Sequence, residues 1–174
     1  GAPGCYEGSG GLYMVDTTDP VIEFLATASY KDPNDQDSLP YIGYSTTICD
    51  FNSDGVQDVI SGGPRGKLYR GQVVIYESKQ ALTQVQSGQM PFDLTGEQMG
   101  GYYGASVLCQ DMNGDGIDDL VVGAPGYTMY PEQGQSKPDT GRVYFYPGAL
   151  FDEYDEVQFL SLIHISEPTR PERI

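Results

Sequence analysis

The segment Tyr41-Ile-Gly-Tyr-Ser-Thr-Thr-Ile-Cys-Asp-Phe-Asn-Ser-Asp-Gly-Val-Gln-Asp-Val-Ile-Ser-Gly-Gly-Pro64 returns in altered form as Tyr102-Tyr-Gly-Ala-Ser-Val-Leu-Cys-Gln-Asp-Met-Asn-Gly-Asp-Gly-Ile-Asp-Asp-Leu-Val-Val-Gly-Ala-Pro125. The offset is 61 residues throughout, taking Gly43 to Gly104, Asp50 to Asp111 and Gly62 to Gly123. Subtracted once more from Gly62-Gly-Pro64, it lands on Gly1-Ala-Pro3, so the chain opens at the end of an earlier copy. A fixed period of this length signals a repeat architecture. After each Gly-x-Pro a loop leads to a second apolar run: Gly11 to Val15, Gly71 to Tyr76, and Gly141 to Tyr146. The last is delayed by a longer loop, Tyr127 to Thr140.

One repeat reads as four short strands bounded by Gly, Pro, Asn or Asp. In the first full copy they are expected at about 43–49, 56–61, 71–77 and 90–95, and in the second at about 104–110, 117–122, 142–147 and 156–160. A four-stranded unit has two faces to bury and cannot close a core alone, so units stacked radially predict a β-propeller. A β-sandwich would not reproduce a strict offset. The composition agrees: 23 Gly, 12 Pro and 14 Tyr with no Trp suit many strands and turns rather than helices. The expected class is all-β, a fragment of a propeller built of four-stranded antiparallel blades. Residues 1–30 end one blade, 31–95 and 96–160 form two more, and two to three such units are too few for a ring.

Between the first two strands of each copy lies Asp-x-Asn-x-Asp-Gly-x-x-Asp. A hard cation needs converging oxygens, which the side chains at positions 1, 3 and 5 supply when the chain curls, helped by Gly at position 6. Position 7 offers a backbone carbonyl and position 9 another carboxylate. The expected ligands are Asp50, Asn52, Asp54, the Val56 carbonyl and Asp58, then Asp111, Asn113, Asp115, the Ile117 carbonyl and Asp119. Carboxylates this close repel by roughly a few kcal/mol per pair, which a divalent ion relieves. Calcium is preferred over magnesium, whose octahedral demands are stricter. An EF-hand would need a bidentate Glu at position 12, where Ser61 and Val122 stand. Asp118, at position 8, is expected to face solvent.

The net charge of −16 excludes nucleic acid as a natural partner, since phosphates require a basic surface. Cys5, Cys49 and Cys109 form no zinc pattern; Cys49 and Cys109 read as small core residues rather than nucleophiles, and a partner outside this chain suits Cys5. The Gly-x-Ser at Gly43–Ser45 and Gly104–Ser106 lacks the second Gly of a nucleophile elbow, Thr47 and Leu108 standing there. His164 is the only histidine, so no Ser-His-Asp arrangement is available and no catalytic residue is assigned. Tyr41, Tyr102 and Tyr103 are expected to pack between blades. No signal peptide, transmembrane run or glycosylation acceptor is present.

The Tyr-x-Gly-x-Ser half-motif, the acidic loop and the closing Gly-Ala-Pro together resemble the FG-GAP repeats of the integrin alpha-subunit propeller. Gly96-Glu-Gln-Met-Gly-Gly-Tyr-Tyr-Gly104, Asp50-Phe-Asn-Ser-Asp-Gly55 and Val122-Gly-Ala-Pro125 strengthen the likeness, which covers residues 1 to about 160. It implies blades three to five of a seven-bladed ring, with Ca2+ in the two hairpin loops on the face away from ligand. It further implies an extracellular, non-enzymatic cell-adhesion receptor that pairs with an integrin beta subunit and binds matrix or cell-surface proteins. Such a receptor is anchored by a membrane-spanning helix lying outside this fragment. Pro64 to Arg70, and Tyr127 to Thr140, would lie on the ligand face. Ser53 replaces the commoner Gly, at a position that supplies no ligand. The alternatives are the FG-GAP propeller of a secreted phospholipase D-type hydrolase and a soluble carbohydrate-binding propeller. Residues 161–174 do not continue the repeat, resemble translated adapter sequence, and are read as a non-native tail.

Overall fold

The computed structural model describes residues 1–15, 24–28, 39–77, 92–129, 140–148 and 161–163. Its strands are β1 (Leu12–Val15), β2 (Phe24–Ala28), β3 (Ser45–Cys49), β4 (Asp58–Gly63), β5 (Gln72–Tyr76), β6 (Phe92–Thr95), β7 (Ser106–Gln110), β8 (Asp119–Ala124), β9 (Arg142–Tyr146) and β10 (Ser161–Ile163). They form a two-stranded sheet β1-β2 and two four-stranded sheets, β3-β4-β5-β6 and β7-β8-β9-β10, every named pairing antiparallel. The all-β expectation holds: helical structure among the described residues is confined to two short turns, Tyr6–Gly8 and Gly66–Tyr69.

The second strand of each blade starts two residues later than the apolar run suggests, at Asp58 and Asp119. Loop positions 7 and 8 belong to the acidic turn, and pairing resumes only at Cys49↔Asp58 and Gln110↔Asp119. The same strands run two residues further, through Gly62-Gly63 and Gly123-Ala124, because these residues stay paired in the ladder. The fourth strand of the last sheet is found at Ser161–Ile163, paired through Ser161↔Phe145 to Ile163↔Val143. Its expected place, 156–160, lies outside the described residues. Three residues of the segment read as a non-native tail therefore occupy the outermost strand. That place asks only for backbone N–H and C=O groups facing β9, so it tolerates many sequences.

The repeat period reappears between sheets. Gly10 bridges Ile42, and 61 residues on Gly71 bridges Tyr103, both parallel. A Cβ on Gly1 would strike the Gly43 carbonyl, and one on Gly62 would strike the Gly104 carbonyl. Glycine is required there because the neighbouring backbone occupies the side chain's space.

Burial confirms blade stacking. On β3, Thr46 and Ile48 are exposed while Cys49 is buried; on β7, Ser106, Leu108 and Gln110 are exposed while Cys109 is buried. Equivalent positions thus bury opposite faces, because β3 uses one face, and β7 the other, to meet each other. Cys49, Ile60, Val73, Ile75 and Leu94 from the first sheet join Cys109, Leu120, Val122, Ala124, Tyr144 and Tyr146 from the second in one core. Ile48 (57% exposed) and Leu108 (46%) lie on the two sheet faces turned away from this core.

Candidate metal loops

Both acidic loops close on the same hydrogen bonds. Asp50 Oδ2 accepts from Gly55 N (2.9 Å), as Asp111 Oδ2 does from Gly116 N (3.0 Å). Asn52 Oδ1 accepts from Asp54 N (3.1 Å), and Asn113 Oδ1 from Asp115 N (2.8 Å). Asp54 Oδ1 accepts from Val56 N (2.7 Å), and Asp115 Oδ1 from Ile117 N (2.8 Å). Asn52 Nδ2 donates to Asp54 Oδ2 (3.2 Å), and Asn113 Nδ2 to Asp115 Oδ2 (2.9 Å). Short Asp and Asn side chains favour bonds to backbone two residues on, which curls the chain locally and holds positions 1, 3 and 5 together.

Position 9 sits differently. Asp58 is 1% exposed and accepts from Phe51 N (3.0 Å); Asp119 is 0% exposed and accepts from Met112 N (2.9 Å) and Gly148 N (3.1 Å). These carboxylates form the floor of each loop, while Asn52, Asp54, Asn113 and Asp115 are exposed at its rim and Asp50 and Asp111 are half-buried. Val56 is exposed and Ile117 half-buried, each directly after its bend glycine, Gly55 or Gly116. The donors are hard oxygens throughout. The partners of Asp119 are backbone N–H groups, each able to satisfy one lone pair, so its oxygens retain capacity for a cation. A fully buried carboxylate is costly without counter-charge, and a divalent cation would supply it. The residues fit a calcium-type ion.

The loops differ at position 4. Ser53 adopts φ 57°, where Gly114 adopts φ 83° and donates to Asp111 Oδ1 (2.6 Å). The serine carries a left-handed backbone that glycine accepts without a Cβ penalty.

Two features were not foreseen. Cys49 and Cys109 are buried as expected, but they are joined in a disulfide across the two sheets (Cα–Cα 6.0 Å, 60 residues apart). The signal lay in that spacing: one short of the repeat, it sets a residue facing the next sheet against one facing back. Cys5 is a free cysteine. Asp118 does not face open solvent. It is half-buried, its Oδ1 accepting from Asp111 N (3.1 Å) and its Oδ2 from Asp50 N (3.3 Å) in the other loop. The two sulfurs and the Asp118 carboxylate lie within 4.8 Å of one another, but disulfide sulfurs are not thiolate ligands.

Tyr103 is buried as expected, its ring edge-on to Tyr144 (5.0 Å) and its hydroxyl 2.7 Å from that of Tyr146. Burial pushes the Tyr103 phenol well above its usual range and Tyr146 to about 12; Tyr144 is raised as well, again chiefly by burial. Tyr41 is half-buried, with the Arg65 guanidinium 4.7 Å from its ring centre. Tyr102 departs from the expectation: it is 43% exposed, on a backbone at φ 57°.

The FG-GAP repeat family model matches residues 103–146, and an FG-GAP-like repeat model matches 50–123. Integrin alpha-PS2 of Drosophila melanogaster is 38% identical over 138 residues, covering 79% of this chain and 9% of that protein. Integrin alpha-V of Gallus gallus is 42% identical over 114 residues, covering 66% and 10%. Integrin alpha-4 of Xenopus laevis is 32% identical over 164 residues, covering 91% and 14%. The chain spans about a tenth of the length of these curated relatives. With sheets, glycine contacts and acidic turns all recurring at the matched positions, the chain belongs to the FG-GAP repeat family and is a fragment of the integrin alpha kind.

Proposed function

We propose that the chain is part of the extracellular ligand-binding head of an integrin alpha subunit, a cell-adhesion receptor and not an enzyme, whose blades are clipped by calcium. The observation that carries the metal reading is the duplicated turn: two loops with matching hydrogen bonds, each setting an Asp-Asn-Asp rim above a buried Asp. The bound ions are Ca2+, one held by Asp50, Asn52, Asp54, the Val56 carbonyl and Asp58. The other is held by Asp111, Asn113, Asp115, the Ile117 carbonyl and Asp119. Each ion neutralises its own loop and fixes the hairpin that begins a blade. Weak binding, on the order of 10⁻⁴ to 10⁻³ M as in extracellular modules, suits an environment rich in calcium.

Recognition belongs at the other end of the sheets. The strand β4 leaves the loop at Asp58 and delivers the chain at Gly63 to the turn containing Arg65, Lys67, Leu68 and Tyr69. Lys67, Leu68 and Tyr69 all adopt positive φ, and Leu68 (60%) and Tyr69 (51%) stand exposed. An outward apolar turn of this kind, its Lys67 held by Asp93 (2.7 Å), suits a protein partner, here the beta subunit or an extracellular ligand. No helix among the described residues is long and apolar enough to cross a membrane; in this reading the anchor is a single-pass segment elsewhere in the parent protein. The hydrolase and carbohydrate-binding alternatives have no specific support from the relatives found.

Thermal unfolding tests the metal reading. Calcium is expected to raise the midpoint of the chain, and the Asp54→Ala/Asp115→Ala double variant is expected to show no rise. An equal rise in both proteins would place calcium elsewhere.

A further inference from the structure

Asp118 occupies loop position 8, which supplies no ligand, yet among the described residues it is the one side chain bonded to the start of both loops. Its Oδ1 holds the N–H of Asp111 and its Oδ2 reaches the N–H of Asp50, 68 residues away in the adjoining blade. Asp50 and Asp111 are the first ligands of their loops. Next to this carboxylate the disulfide fixes Cys49, the residue before Asp50, to Cys109, two residues before Asp111. The equivalent of Asp118 in the first loop is Gln57, which is exposed. A neutral amide there cannot reproduce a carboxylate clasp, so the repeat alone does not dictate it.

We infer that Asp118 is a positioning residue that couples the two cation loops, so that filling one preorganises the other. The inference rests on the calcium reading above. Loading the loop at Asp111–Asp119 orders Asp118 between its own position 1 and the backbone of Asp50. The loop at Asp50–Asp58 then meets its ion with the entry residue already placed, and less ordering remains to oppose binding. Linkage makes the effect mutual. The disulfide keeps the blades in register while each loop opens and closes, so motion at one entry is transmitted rather than dissipated.

Calorimetric Ca2+ titrations of the full chain, of Asp54→Ala and of Asp115→Ala give both stepwise constants and the constant of each loop alone. In the parent chain the product of the two stepwise association constants is expected to exceed the product of the single-loop constants by about fivefold, the lower end of ordinary coupling. With Asp118→Asn added to all three proteins the ratio is expected to fall to about one, as a double-mutant cycle requires. A ratio near one in the parent, or an unchanged ratio with Asp118→Asn, overturns the coupling. Amide exchange gives a second reading that leaves Asp118 intact. In Asp54→Ala, calcium filling the other loop is expected to slow exchange at the Asp50 N–H, and an unaltered rate contradicts the clasp. If neither loop binds calcium, the cation reading and the coupling fall together; if both bind independently, only the coupling falls.

Discussion

The blade formed by β3–β6 and the blade formed by β7–β10 share a strand order, an acidic turn and a hydrogen-bonding scheme, but they bury opposite faces of their first strands. In the first, Cys49 turns inward and Ile48 outward; in the second, Cys109 turns inward while Leu108 and Gln110 are exposed. The local sequence therefore specifies the turn, and the neighbour specifies which side of the sheet becomes core. The disulfide accordingly joins non-equivalent positions, Cys49 and Cys109, and Asp118 reaches across to the Asp50 N–H.

Removing the covalent link should have the largest effect. Closing a loop with a sequence separation of 60 corresponds to about 4 kcal/mol in the chain-entropy treatment. Urea unfolding of Cys49→Ser/Cys109→Ser is expected to show a loss of that order. A loss below about 1 kcal/mol would mean that the blades are held in register without it.

Next comes the glycine comparison. A Cβ on Gly62 meets the backbone of Gly104 in the neighbouring sheet, whereas one on Gly123 meets first the Ser106 hydroxyl of its own sheet. Gly62→Ala is expected to cost about 1–3 kcal/mol, as overpacking does, and Gly123→Ala clearly less because a side chain can move aside. Equal losses on urea unfolding would break the contrast between a backbone neighbour and a side-chain one.

The tyrosine cluster should make stability fall in alkali. Phenols whose folded pKa is raised hold their protons longer in the folded state than in the unfolded chain. Their contribution is complete below the ordinary value near 10. It is lost as pH climbs from there through about 12, the value for Tyr146. Tyr146→Phe is expected to flatten part of that decline in a pH series of urea midpoints, and an unchanged slope would contradict it. The smallest effect separates the two loops: Ser53→Gly should stabilise by up to about 1 kcal/mol by releasing left-handed strain, and Gly114→Ser should do the reverse. Thermal midpoints of the two variants moving the same way would show that position 4 is not where the loops differ.

Much of the fold was legible because its causes are local. The Asp-x-Asn-x-Asp-Gly turn is written by side chains bonding to backbone two to five residues away. The short apolar runs beyond it give strands to within two residues. The 61-residue period carried the architecture further, since glycines at Gly62 and Gly104 leave only backbone where two sheets meet. The rest was not legible, for a physical reason. Which face of β3 or β7 is buried depends on the neighbouring sheet, so the pairing of Cys49 with Cys109 and the inward reach of Asp118 require the stacked geometry. Tyr102 and Tyr103 are adjacent and alike, yet Tyr102 stands exposed on a positive-φ backbone while Tyr103 lies in the core.

The central claim is that two cation loops clip this pair of blades, and calcium stoichiometry tests it most directly. Calorimetry on the full chain is expected to give two ions bound, one for either Asp54→Ala or Asp115→Ala, and none for the double variant. A stoichiometry that stays at two in the double variant would contradict the account.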